Sequence, residues 1–546
     1  MKSKRAYLPG QLRLILAIAL VHIIAWLTYY GQIPAGQYPG EEARTTLDSA
    51  LNLAKGIPTN ASGHSLYTYT LSFLARFFAT SESLTSAARA LNALAFIVAA
   101  GFCASAAGHY WRRNRAIWIA GLLVALNPVL VFWAGEVSPS LLATAWMSIA
   151  LWRLLPWLNR PKSRHSLWVA ICLSIAAAFE TSLLPLALLW PVLAYFYPQS
   201  ERTRHLISAL IPTALVGGLI LVSSLQLQNP FGWHFGSFGS GLYQALSSQE
   251  TFDDKSFSLY RQLHLILFLN PIHWGLLFIL AGAGCYVRLK EGYSRHSVLL
   301  ALGSLSILTL SLALNESGSQ ARASLIPLLA VFASGVVLLP KIWHRASRST
   351  RRKIQLGGVC LGLFAYAGYF GQNQSNTWER DYVYLAKANL LWGNNEQAAT
   401  WAEKALELNP NQSDTQKVLV LAEFNDWAMS SQPRALPSET AEIYLKAVQQ
   451  IESTPTTQTI RAIYQYKLRE IEAAQATWHA QRDKSALAQL CLYWTGQITE
   501  ISPQAINTYP DDPYSELLQK AVALDRNALD YGSIEKLLDN MLAFTY

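Results

Sequence analysis

The ionisable residues of positions 1–370 are few and unevenly placed. Twelve are acidic. Ten of them, Glu41, Glu42, Asp48, Glu82, Glu136, Glu180, Glu250, Asp253, Asp254 and Glu316, fall on one side of a series of apolar runs. A carboxylate at a membrane boundary is costly unless it has a partner or a task. Placed there it can take a proton as a general base or hold a cation. A one-sided set therefore points to chemistry or metal binding at one face, with plain solvation of loops as the alternative. The densest stretch is Tyr38-Pro39-Gly40-Glu41-Glu42-Ala43-Arg44, followed in the same segment by His64-Ser65-Leu66-Tyr67. Further on, Asn127-Pro128 leads to Gly135-Glu136, and Arg322 precedes Pro327. His234 stands among Trp233, Phe235 and Phe238, aromatic rings of the kind that anchor at an interface, and that loop ends at Asp253-Asp254-Lys255. The five cysteines have neither metal nor redox spacing.

The elements that must position these groups follow from composition. The chain has 546 residues, 52% hydrophobic and 14% charged, against about 25% charged in soluble proteins. Disorder, collagen, a disulfide scaffold and an ordinary cytosolic enzyme are excluded. Eleven runs approach the roughly 20 apolar residues of a spanning helix: 11–29, 85–108, 116–133, 140–158, 167–180, 182–197, 206–225, 262–285, 297–314, 323–340 and 354–370. Alternate connections carry most of the basic residues, including six from Lys341 to Lys353. The positive-inside rule then places the N-terminus in the cytoplasm and the C-terminus outside. The net charge of +9 divides accordingly. Residues 1–370 hold 29 basic and 12 acidic side chains, and residues 371–546 hold 14 and 22. The basic balance reports orientation and implies no nucleic-acid partner.

Two outer loops are long, 30–83 and 226–261. The first contains a semi-apolar stretch, Ser65–Phe78, expected to lie along the membrane surface. Past the last run the composition becomes soluble and helical. Trp392-Gly393-Asn394-Asn395 through Asn409-Pro410 resembles one tetratricopeptide unit, with Gly393 at the turn and Asn409-Pro410 ending the second helix. Thr440–Ile451, Thr459–Trp478 and Ser485–Tyr493 are amphipathic and more degenerate. The expected fold is all-α: a polytopic bundle over 1–370 and an extracytoplasmic helical-repeat domain over 371–546. That domain either binds a protein partner or caps the membrane part.

In order and topology, residues 8–370 resemble the polytopic glycosyltransferases that use polyprenyl-phosphate sugars, the group of protein O-mannosyltransferases and lipid A aminoarabinose transferases. In that family an acidic pair follows the first span, commonly Asp-Glu, with a basic residue behind; Glu41-Glu42 and Arg44 stand there. His64-Ser65-Leu66 loosely matches a His-Pro-Pro-like segment, Arg89 the small-rich approach to the second span, and Glu136 the acidic turn before the fourth. Arg322 and Pro327 match an Arg-x-x-x-x-Pro that opens a late span. The resemblance implies a GT-C fold with its site on the outer face. It implies Glu41 as general base with Glu42 as second carboxylate, and Arg44 and Arg322 on the donor phosphate. His64, Glu136 and His234 would orient the acceptor or bind a divalent metal ion of unspecified identity. Glu41 departs from the family's usual Asp by one methylene.

The function so implied is sugar transfer, with inversion, from a polyprenyl-phosphate-linked donor in the bilayer to an acceptor on a protein, lipid or glycan. A bacterial inner membrane with the C-terminal domain in the periplasm is the expected setting. The alternatives are a non-catalytic scaffold whose repeat domain docks partners in envelope assembly, and a transporter or ligase of lipid-linked saccharides. The gathering of acids at one face, not mid-span, argues against the transporter.

Overall fold

A computed structural model describes residues 8–37, 39–57, 66–159, 161–196, 201–224, 255–268, 272, 274–290, 319–345, 347–349, 351–352, 355–360, 363, 378–428, 445, 448–449 and 454–499. The described elements are all helical, and the chain divides into two compact units, 1–377 and 378–546.

The first unit begins with α1 (Leu8–Tyr30), whose 23 residues reach about 34 Å, enough to cross a bilayer core. A short α2 (Pro34–Gln37) leads to α3 (Glu41–Ala54) and α4 (Leu66–Ala75). α3 is amphipathic: Ala43, Leu47 and Ala50 are buried, while Glu42, Arg44 and Asp48 are exposed. That spacing puts its apolar stripe on Tyr67 and Leu71 of α4 and on Leu84 and Ala88 of α5 (Ser81–Trp111). α4 has ten residues, too few to span, and leaves Tyr69 and Phe73 exposed. Thr80 starts α5 with a reciprocal capping box to Ser83.

α6 (Asn114–Ala125) and α7 (Pro128–Ala134) break the 116–133 run with a bend of 49°. The cause is local. Pro128 lacks an N–H, and the Asn127 side chain accepts from the backbone of Val129 and Leu130, starting a new helix. Next come α8 (Ser140–Asn159), α9 (Ser163–Phe179), a 3₁₀ turn at Thr181–Leu183, α10 (Leu184–Phe196) and α11 (Arg202–Ser224). The 262–285 run does not form one helix. It separates into α12 (Phe257–Leu263), α13 (Leu265–Phe268) and α14 (Trp274–Lys290). α15 (Ser319–Arg322) precedes the apolar stretch Ala323–His344, built from a 3₁₀ turn (Ala323–Leu325), α16 (Ile326–Ala333), a second 3₁₀ piece (Ser334–Leu338) and α17 (Leu339–Arg345).

Among the described residues four helices are long and apolar enough to cross a membrane: Gly10–Tyr30, Ser81–Trp111, Ser140–Leu158 and Ala323–His344. Counting α6 and α7 as one broken span gives five. Ser163–Phe179, Thr181–Phe196 and Trp274–Leu289 are apolar and shorter. The expected spans at 297–314 and most of 354–370 lie outside the described residues, so eleven spans is not the number observed.

The second unit contains α18 (Glu379–Leu391), α19 (Asn395–Leu408), α20 (Ser413–Ala428), α21 (Pro455–Lys467), α22 (Ile471–Gln481) and α23 (Ala486–Trp494). Gly393, at φ +81°, makes the tight turn between α18 and α19. Ala386, Ala402 and Val418 pack the first three helices, and Phe424, Ile460, Tyr464, Trp478 and Leu490 form a larger core. The Thr459–Trp478 stretch is two helices separated by Arg469 at φ +68°. Most of Thr440–Ile451 lies outside the described residues.

Candidate active site

The polar centre of the first unit is assembled at the ends of its helices. Glu136 sits in the turn between α7 and α8, and Lys255 lies just before α12. Both are buried, at 3% and 1% exposure. Lys255 Nζ is 2.8 Å from each Glu136 carboxylate oxygen. The Tyr30 hydroxyl, at the last residue of α1, donates to Glu136 Oε1. Lys255 Nζ also lies 3.3 Å from the Tyr30 hydroxyl and 5.8 Å from the Tyr30 and Tyr260 ring centres, within cation–π range. Asn92 of α5 fixes the turn by donating to the Glu136 backbone carbonyl at 2.7 Å.

Gly135 makes this meeting sterically allowed. A Cβ there would lie 2.7 Å from Trp26 Nε1 and 3.0 Å from the Tyr30 ring, so only glycine lets the stacked Trp26–Tyr30 pair reach the turn. Gly36 has the same use beside the Tyr30 backbone, and its carbonyl accepts from Arg89 of α5. His264, between α12 and α13, closes the aromatic side. Its ring meets Trp26, Tyr29 and Tyr260, and Nδ1 is 3.1 Å from the Tyr29 hydroxyl. Burial, and then the charge of Lys255, push this imidazole down to about 4.

Over the ion pair lies a cavity of about 160 Å³ lined by Glu42, Thr46, Tyr67, Glu136, Lys255 and Gln320, among others. It thus joins the first turn of α3, the turn after α7, the segment before α12 and α15. Burial pushes the Tyr67 phenol above its ordinary range. The cavity offers a carboxylate on an otherwise exposed helix turn, a buried ammonium and a phenol. That set can take a proton from an acceptor and face an anion.

The expected residues separate as follows. Glu42 and Glu136 come together at the cavity. Arg44 is exposed on α3 and does not line it. Arg322 is buried, two residues past Gln320, with its guanidinium 5.7 Å from the Trp274 ring centre. Glu41 is the first residue of α3, and the placement of its side chain is outside what is described, as are His64 and His234 altogether. Among the described residues no three His, Cys, Asp or Glu side chains converge as a metal set, and both Glu136 oxygens are engaged by Lys255. Lys255, Tyr30 and His264 are the residues that sequence alone does not mark. Lys255 reads there as the end of a charged loop.

The chain matches no family model and no curated protein. Among solved structures it is similar to the crystal structure of ArnT from Cupriavidus metallidurans bound to undecaprenyl phosphate. The two are 17% identical, with a TM-score of 0.40, over 80% of this chain and 81% of that chain.

Proposed function

We propose that the chain is an integral-membrane glycosyltransferase of GT-C type, taking a sugar from a polyprenyl-phosphate donor at the outer face of the bilayer. The observation that carries this reading is the cavity over the Glu136–Lys255 pair. Two acidic positions picked out by the sequence resemblance, Glu42 and Glu136, are 94 residues apart and line the same small space. In this reading Glu42 or its neighbour Glu41 removes the acceptor proton as the acceptor attacks the anomeric carbon. The bond from that carbon to the donor phosphate breaks on the opposite side, and the configuration inverts. The phosphate leaves with added negative charge, which Lys255 at the cavity wall would meet, with Arg322, two residues past the lining Gln320, as the second cation that the resemblance implies. Arg44, exposed outside the cavity, is the weaker partner. No ligand set for a divalent ion converges among the described residues, which leave out the Glu41 side chain, His64 and His234. The C-terminal helices, with α18 and α20 starting 34 residues apart, suit a tetratricopeptide-like array that presents an acceptor or a partner.

The test is sugar transfer by the purified full chain from a defined lipid-linked donor. Glu41→Gln and Glu42→Gln are made separately, and one of them is expected to lower kcat by about 10²–10⁴-fold with normal membrane insertion. Full activity in both would remove the assigned base. A chain that binds no lipid-linked sugar would favour the scaffold.

A further inference from the structure

The second half of α8 lines another cavity, at the opposite end of that helix from Glu136. With 20 residues α8 is about 30 Å long, so the two spaces are well separated. The walls are apolar and come from four helices: Leu151 and Leu155 of α8, Leu173 of α9, Trp190 of α10, and Val331 and Phe332 of α16. Those residues are buried. Leu154, Leu158 and Leu193 are half-buried, which sets the opening where α8 and α10 end. The free volume is about 30 Å³. This is a slot, not a chamber, and a chain entering it must displace the half-buried leucines.

The open end is basic. Lys162 and Arg164 lie at the α8–α9 connection and are exposed. Together with Arg153 they act electrostatically on His165. Arg202 and Arg204 begin α11 at the same end of the bundle, and Glu201, 3.4 Å from Arg204, is the only acidic residue in 150–170 and 197–210. Trp190 ties the slot to this end. Its indole N–H donates to the Ser166 carbonyl at 3.1 Å, and the Ser166 hydroxyl donates to the His205 carbonyl at 3.4 Å.

A narrow apolar slot opening under clustered cations matches an amphiphile with one thin hydrocarbon chain inside and an anionic head outside. Basic pockets between spanning helices take phospholipid headgroups on these physical grounds. We propose that this cavity binds an anionic bilayer phospholipid, with one acyl chain between α8, α9, α10 and α16 and the phosphate on Lys162 and Arg164. The narrowness favours a straight acyl chain over a methyl-branched prenyl one. The site stands independently of the transferase reading, since it shares no residue with the Glu42 cavity.

Native mass spectrometry of the full chain in detergent tests it, with phosphatidylglycerol, phosphatidylcholine, glycerol 3-phosphate and polyprenyl phosphate as probes. Phosphatidylglycerol is expected to bind at least about tenfold more tightly than phosphatidylcholine, and glycerol 3-phosphate not at all. Lys162→Gln and Arg164→Gln should each weaken phosphatidylglycerol about fivefold. Ala150→Leu, which fills the slot, should weaken it without touching the charges. Should Ala150→Leu fail to fold, the two exposed charge variants still decide. Equal binding of the two phospholipids, or charge variants without effect, would overturn the proposal. So would binding of glycerol 3-phosphate alone, or displacement of phosphatidylglycerol by polyprenyl phosphate at equal concentration.

Discussion

Glu136 and Lys255 satisfy each other in a place where neither could stand alone. Removing one partner of a buried pair costs about 3–5 kcal/mol, because the other charge is left desolvated. Glu136→Gln and Lys255→Met should each lower thermal stability in detergent by that order. The double variant Glu136→Leu/Lys255→Met should cost clearly less than the two together, and simple additivity would deny the coupling. His264 provides a pH signature. Its imidazole falls from 6.5 to about 4 on folding, so the folded state binds fewer protons than the unfolded one between those values. Stability is full above about pH 6.5 and declines as pH drops toward 4. His264→Gln should flatten the thermal midpoint between pH 7 and 4.5, and an unchanged slope would assign the decline elsewhere. Glu42 and Glu136 were legible in the sequence because acids are scarce among apolar runs. Lys255 was not, since a pairing across 119 positions leaves no local trace.

At the scale of elements, α3 carries Glu42 and owes its position to packing. Leu47 is fully buried against α4 and α5. Leu47→Ala should cost about 2–5 kcal/mol and lower the rate of sugar transfer although it removes no reactive group. Asp48→Asn, on the exposed side of the same helix, should do neither. Transfer that persists with Leu47→Ala would separate the helix from the site. The period of Ala43, Leu47 and Ala50 is the trace this helix leaves in the sequence. The breaks at Asn127 and His264 were harder to read, because hydropathy runs on through both. At Asn127 a side-chain cap and a proline decide the geometry. At His264 contacts with four aromatic rings do so.

For the whole molecule, charge divides the chain more sharply than hydropathy does, with a basic first part and an acidic last part. If the positive-inside rule governs the first unit, the second lies outside the cytoplasm. Thr400→Cys, at an exposed position of α19, should react in intact cells with a membrane-impermeant thiol reagent well above the wild-type background. Labelling only after permeabilisation would reverse the orientation and move the Glu42 cavity to the other face.

The Glu136–Lys255 contact also changes the connectivity of the chain. It fastens two points 119 residues apart, so that the loop between them, which among the described residues holds α8 through α11, is closed by electrostatics and not by a covalent bond. Opening that clasp removes one constraint that all the helices of the loop share. The entropic cost of closing a loop grows only slowly with its length, so a span of 119 residues adds little to what a much shorter clasp would cost.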